Sequence, residues 1–234
     1  MAPAYDIGIL TGSGPDAGID MWAAILDRWR TALGDRYTGD ADAPAVLVHS
    51  VPQLGASMDL ARHVEALRAI ILDHAAELDR TCRAWVIACN TLNWFEPAIR
   101  EANPSTTFVS FRSVVEALVR AQPPASSVLL GARPVAELGP WSPYAALAPA
   151  VIAPDERILA ETHRLIVDVK RIGACAELTS RLDTLCRNLP ATQVLLACTE
   201  LPLIAGDDRR CVDVTRAVAA HVVDRTLRHR RLRA

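Results

Sequence analysis

The sequence predicts an α/β protein built from two similar lobes, each a short, mainly parallel sheet flanked by helices. Three observations predict it. Short β-prone apolar runs alternate with helical patterns along the whole chain. Those runs are continuous rather than alternating, as expected of parallel strands covered on both faces. One strand-and-turn pattern also occurs twice: "WVIACNT" at Trp85–Thr91 and "VLLACTE" at Val194–Glu200 each run an apolar strand into Ala-Cys and a threonine.

The strands expected in order are Ile7–Leu10, Val46–His49, Trp85–Ala88 and Thr107–Ser110, then Val128–Leu130, Val151–Ala153, Val194–Ala197 and Val212–Val214. Between the first two, Ile19, Trp22, Leu26, Trp29 and Leu33 recur at helical spacing and are read as one apolar stripe. Pro15 suits a first helical position, Asp16 the positive end and Gly34 a stop. Leu60, Val64, Leu67 and Ile71 mark a second helix, and a last one is expected from about Thr215. Each half opens on a strand running into glycine, "IGILTGSGP" from Ile7 and "SVLLGARP" from Ser127, and the Pro-rich stretch Gln122–Ser127 reads as a linker. The expected division is residues 1–120 as the first lobe, completed by the C-terminal helix 213–234, and 121–212 as the second.

Composition narrows the class. The chain has 234 residues, 51% of them hydrophobic and 22% charged, with net charge −2. That balance gives no general attraction to nucleic acid or an anionic membrane. The basic end "DRTLRHRRLRA" is read as a solvated helix terminus. No apolar run reaches the roughly 18–20 residues that span a bilayer, and "MAPAYD" lacks the basic-then-apolar form of a signal peptide. The expected location is the cytoplasm. Six cysteines stand without a C-x-x-C pair, and six histidines show no ligand spacing, so neither a metal nor a disulfide framework is expected.

Gly12, Gly14 and Gly18 follow the first strand and precede a helix, which suggests a dinucleotide turn. The rest of that fingerprint is missing. The second strand ends at His49 and Ser50 without the carboxylate that would hold a ribose, and no Walker lysine follows. The loop still offers amide donors and a helix N-terminus to a smaller anion such as a carboxylate.

Cys89 and Cys198 sit where parallel strands end, the side on which α/β sheets bind ligands. A helix N-terminus nearby favours a thiolate. Two such thiols in facing lobes suit one reaction above others: one removes a proton from carbon and the other returns a proton to the opposite face. Cys82, Cys175, Cys186 and Cys211 lack polar followers and are read as packing residues.

With these pieces in place the chain resembles the aspartate/glutamate racemase superfamily, in particular its pyridoxal-independent aspartate racemase branch. The resemblance rests on "GILTGSGPDAGID", "ACNT" at Ala88–Thr91, "ACTELPLI" at Ala197–Ile204 and "DVTRAVA" from Asp213. It implies two pseudo-symmetric lobes with the site in the cleft between them, no cofactor, a small amino acid or dicarboxylate as substrate, and a homodimer. It assigns Cys89 and Cys198 as the acid/base pair. Asn90, Thr91 and Thr199, with amides near Ser13 and Gly14, would hold the α-carboxylate; Glu200 would sit close to the second thiol or the substrate ammonium, and Gln53 and Lys170 would face substrate. Aspartate ranks ahead of glutamate. Maleate isomerase, hydantoin racemase and a non-catalytic amino-acid-binding relative are the alternatives within the superfamily, ahead of arylmalonate decarboxylase. A dinucleotide-dependent oxidoreductase is the alternative outside it.

Three departures bear on substrate. Ser57 stands near the place where aspartate-acting relatives carry an arginine, and Ala132 and Val135 stand where hydroxyls are expected. Arg112 and Arg133 are candidates to replace the lost charge.

Overall fold

The computed structural model describes residues 3–231 and contains two three-stranded parallel sheets. The first joins β1 (Tyr5–Thr11), β2 (Val46–Ser50) and β3 (Cys82–Ile87) in the order β2-β1-β3. The second joins β4 (Ser127–Leu130), β5 (Gln193–Leu196) and β6 (Cys211–Asp213) in that order. The helices are α1 (Pro15–Leu33), α2 (Leu60–Thr81), α3 (Glu96–Ala102), α4 (Phe111–Arg120), α5 (Arg133–Ala136), α6 (Glu156–Ile172), α7 (Ala176–Arg187) and α8 (Val214–Arg231). Residues 232–234, the end of the basic tail, lie outside the described residues.

The two sheets repeat one local geometry. β1, which runs into Gly12, is the parallel neighbour of β3, which runs into Cys89. β4, which runs into Gly131, is the parallel neighbour of β5, which runs into Cys198. In each pair the alanine before the cysteine donates to the end of the neighbouring strand: Ala88 N to Leu10 O at 2.9 Å, and Ala197 N to Leu130 O at 2.7 Å. The repeat seen in the sequence is therefore a repeat of hydrogen bonding between each cysteine strand and the strand that leads into its glycine loop.

Two expected strands shrink to single bridges. Residues 107–110 pair with β3 only through Trp85 and Phe108. Asp79 explains this, because its carboxylate takes up the Thr107 N–H, at 2.9 Å, that a longer strand would use, and it also accepts from Thr106 Oγ1 and Trp85 Nε1, each at 2.7 Å. Ser110 then caps α4, its Oγ accepting from Arg112 N at 3.1 Å. Residues 151–153 likewise pair only through Val128 and Ile152 before Pro154 ends the segment.

The boundaries of α1 agree with its signals, from Pro15 to a stop at Gly34, whose φ is 54°. Its buried face differs from the expected stripe. Ala17, Gly18, Met21, Ala24, Ile25 and Trp29 are buried, whereas Ile19 and Trp22 are 67% and 43% exposed. The small residues are the reason: they carry little hydrophobic weight in a periodicity reading, yet they let a helix approach its neighbour closely. That neighbour is α8, tied to α1 by Arg28 and Asp224 at 2.6 Å.

The principal core is continuous between the sheets. It contains Ile7, Ile9, Trp29 and Val86 from the first lobe, Leu129, Leu195 and Ala197 from the second, and Val218 and Val222 of α8. At about 25 cal/mol per Å² of apolar area removed from water, a shared core of this kind holds the two sheets in fixed relation. No helix among the described residues is long and apolar enough to cross a membrane.

Candidate functional site

The glycine loop meets the second lobe rather than a dinucleotide. Gly12 has φ +117°, and a Cβ there would lie 2.2 Å from the carbonyl oxygen of Val51. That close approach lets the loop turn beneath the end of β2. At Gly14 a Cβ would lie 2.2 Å from Glu200 Oε1 and 3.2 Å from Lys170 Nζ. Glycine leaves room there for a buried carboxylate from the opposite lobe. Lys170, reaching across from α6, donates both to Ser13 O and to Glu200 Oε1. These contacts join the first glycine loop to the second cysteine turn.

Cys198 follows β5 and is 8% exposed; its thiol donates to Glu200 Oε2 at 2.9 Å, and Thr199 Oγ1 lies 3.4 Å from the same oxygen. Burial pushes the Cys198 thiol well above its ordinary pKa, and the charge and hydrogen bond of Glu200 push it further, against the opposing pull of Lys170. For Lys170, burial disfavours the charge, but Glu200 and the sulfurs of Cys198 and Cys89 outweigh it, and the net shift is upward. The ammonium therefore stays charged beside its carboxylate. Lys170 keeps 25% of its side chain exposed, and Glu200 5%.

Cys89 follows β3 and is 9% exposed. Its nearest side-chain polar neighbour is Ser57 Oγ at 3.9 Å. Ser57 is buried within the 3₁₀ turn Pro52–Asp59; Gln53, in the same turn, is exposed. Asn93, which the sequence reading passed over, anchors the turn: its Nδ2 donates to Cys89 O at 2.8 Å and its Oδ1 accepts from Phe111 N at 2.8 Å. The only signal was its place in "ACNTLN", three residues beyond Asn90. Asn90 and Thr91 are buried, and the Asn90 side chain does not cap the short helix that follows.

Tyr144 was also missed. It lies between α5 and α6, fully buried, and its hydroxyl donates to Asn90 Oδ1. Burial pushes its phenol well above the usual tyrosine range, and charge on Cys89 and on Cys198 pushes it further. The Tyr144 phenol and the Lys170 ammonium thus each lie within electrostatic range of both sulfurs.

The two arginines do not enter this site. Arg133 pairs with Glu137 and Glu156, and Arg112 with Glu116. Each is satisfied at the surface by carboxylates of its own neighbourhood, so neither replaces the charge absent at Ser57. Among the described residues no group of three or more His, Cys, Asp or Glu side chains is arranged to hold a metal ion.

A sequence profile for Asp/Glu/Hydantoin racemases matches residues 11–224, nearly the whole chain. The chain belongs to that family. Solved structures show the same fold at low identity. An aspartate racemase homologue from Pyrococcus horikoshii is 16% identical, with a TM-score of 0.71 over 95% of this chain and 99% of that one. An aspartate racemase from Picrophilus torridus is 18% identical, with a TM-score of 0.68 over 94% of each chain. A glutamate racemase from Francisella tularensis, solved with D-glutamate, is 12% identical, with a TM-score of 0.58 over 97% of this chain and 82% of that one. No curated protein sequence matches the chain. Family membership makes this a racemase-type isomerase with the two-lobe racemase fold, and it gives the paired cysteine turns their context.

Proposed function

We propose that this protein racemises a small amino acid without a cofactor, using Cys89 and Cys198 as the acid/base pair in the cleft between the lobes. The observation that supports the reading is the geometry around the two turns: Tyr144 bonds Asn90 beside Cys89, and Lys170 joins the glycine loop to Glu200, which accepts from the Cys198 thiol. The thiolate of one cysteine takes the α-proton as the C–H electron pair moves into the carboxylate, forming an enediolate. The thiol of the other then delivers its proton to the opposite face of that carbon. The inverted amino acid leaves with the two sulfurs' protonation states exchanged.

The α-proton is weakly acidic, so donors must meet the enediolate as it forms. Asn90, Thr91 and Thr199, with the loop at Ser13 and Gly14, are assigned that role. The raised pKa of Cys198 supports it as the protonated partner at rest, with Glu200 as its hydrogen-bond acceptor. Two sulfurs around one site titrate as a coupled pair, so a bell-shaped pH dependence is expected.

The resemblance ranks aspartate ahead of glutamate. A second reading, a hydantoin or other neutral substrate, is favoured by the buried Ser57 beside Cys89. The homodimer implied by the resemblance is supported by the exposed Ile19 and Trp22 on α1, and we assign the enzyme to the cytoplasm.

The test is incubation in D₂O with single enantiomers of aspartate, glutamate, neutral amino acids and hydantoins, following α-deuteration and chirality. Wild type is expected to exchange and invert one of them. Cys89→Ser and Cys198→Ser are each expected to lose about a thousandfold or more in kcat, as loss of a reacting group does. Exchange that survives in either variant overturns that cysteine's role.

A further inference from the structure

Asn90 presents an unusual pattern of satisfied and unsatisfied groups. Its side-chain oxygen accepts from the Tyr144 hydroxyl, yet its Nδ2 is fully buried with no hydrogen-bond partner among the described residues. Buried amide donors are almost always paired, because leaving one empty forfeits its hydration without return. The residue does not serve as a helix cap, which would have been the ordinary use of an asparagine at this position. An empty donor at the mouth of the Cys89 turn is a donor kept for something that is not protein.

The C=O and NH₂ ends of an asparagine amide exchange places on a half-turn about the Cβ–Cγ bond. For a carboxylate the difference is decisive, because the NH₂ end attracts it and the carbonyl end repels it. Tyr144 favours one orientation: its hydroxyl proton has Asn90 Oδ1 as acceptor, and with the amide turned the phenol oxygen would accept from Nδ2 and that proton would lose its acceptor. The position of Tyr144 is determined from behind: Ser142 Oγ donates to Val135 O at 2.8 Å and accepts from Tyr144 N at 3.1 Å, and the ring lies in the principal core. Its raised pKa keeps the hydroxyl protonated, and so a donor, through the neutral range.

The geometry points to Tyr144 as a positioning residue: its hydroxyl fixes the Asn90 amide so that Nδ2 is the donor presented to the substrate's α-carboxylate. This rests on the racemase reading above and deepens it. The substrate class follows from the donor, namely a molecule with a planar oxygen acceptor next to the carbon that loses its proton.

The experiment combines a mutant cycle with a measurement that needs no turnover. Tyr144→Phe removes the hydroxyl and keeps the ring in the core. Its kcat for α-proton exchange is expected to fall about 10- to 100-fold, in the range for a lost oxyanion donor, with KM changed much less. In an Asn90→Ala background the same change is expected to cost less than about threefold, because Tyr144 acts through Asn90. Full additivity of the two losses overturns the proposal. In parallel, ¹⁵N relaxation of the Asn90 side-chain amide, assigned with Asn90→Asp, reports motion about its Cβ–Cγ bond. That motion is expected to increase in Tyr144→Phe, and unchanged relaxation overturns the lock whatever the activity. Increased motion in Tyr144→Phe beside a wild type inactive on every substrate would instead overturn the racemase reading and leave the lock standing. Should Tyr144→Phe fail to fold, Asn90→Asp decides. It keeps the acceptor for Tyr144 but replaces the donor with oxygen, so activity close to wild type overturns the proposal, and loss as deep as in Asn90→Ala supports it.

Discussion

The two cysteine turns share a backbone and differ in everything attached to it. Both follow a parallel strand, and both place an Ala N–H on a carbonyl at the end of the neighbouring strand. Around Cys198 the groups are ionic: Glu200 accepts its proton's hydrogen bond, and Lys170 holds Glu200 against the glycine loop. Around Cys89 they are neutral: Ser57, Asn90 with Tyr144 behind it, and Asn93 beneath. The fold therefore provides two equivalent positions, and the side chains make them inequivalent. A racemase needs its two acids in opposite protonation states at any moment, and charge on one side only is a direct way to set which sulfur holds the proton in the empty enzyme.

The largest effect is expected from breaking the ionic side. Lys170→Met leaves Glu200 buried without its cation, which costs about 2–3 kcal/mol, at the low end for such pairs because part of Lys170 is exposed. Urea denaturation reads the loss. Adding Glu200→Gln is expected to restore most of the stability, since the stranded charge is then gone. If the double variant is as unstable as the single one, the pair is not what links the glycine loop to the second turn.

Glu200→Gln alone sharpens the comparison through pH. Glu200 raises the Cys198 pKa by its charge and by accepting the thiol's proton. Removing the charge lowers that pKa, and the remaining Lys170 pulls in the same direction. In the reaction direction where Cys198 donates, the alkaline limb of the rate profile moves to lower pH, by about 1–2 units. In the reverse direction, where Cys198 must be ionised, the acid limb moves the same way. A profile that does not move would mean that the two turns are electrically alike.

What the sequence disclosed divides along the same line. The repeated backbone was legible, because strand endings, glycine loops and the Ala-Cys pairs are local patterns. The helix signals at Pro15 and Gly34 were legible for the same reason. The face of α1 was not, since Ala17, Gly18 and Ala24 bury without hydrophobic weight, and residues 107–110 lost their strand to a distant carboxylate at Asp79. At the site, Glu200 stood next to its cysteine in sequence. Tyr144 lies far along the chain from Asn90 and carries no motif of its own, so only the folded chain joins them. The arginines are the converse case: a cation is visible in sequence, and Arg112 and Arg133 find partners four residues on, at Glu116 and Glu137, with Glu156 joining Arg133 only in the folded chain.

Gly14→Ala is a milder perturbation, aimed at the seam between the turns. The added methyl would fall 2.2 Å from Glu200 Oε1, the end of a side chain that can withdraw. A displaced Glu200 loosens its hold on Cys198, and kcat is expected to fall about tenfold, as a small misplacement of a reacting group does. Stability, followed by thermal unfolding, should change little beside that of Lys170→Met. A variant with normal kcat would show that the acceptor of the Cys198 proton need not be held where it is.

Ser57→Ala tests the neutral side and is expected to do least. Its hydroxyl reaches Cys89 at 3.9 Å, a long contact even for sulfur, and neither partner carries a fixed charge. Hydrogen bonds of that kind contribute about 1 kcal/mol or less, so kcat is expected to fall no more than about threefold, with the pH limbs unmoved. The outcome matters because Ser57 occupies the position where a cation would grip a second carboxylate. If Ser57→Ala instead discriminates strongly between aspartate and a neutral amino acid, the serine itself carries the selectivity. The neutral turn would then be the substrate-reading half of the cleft, and the ionic turn the half that manages the proton.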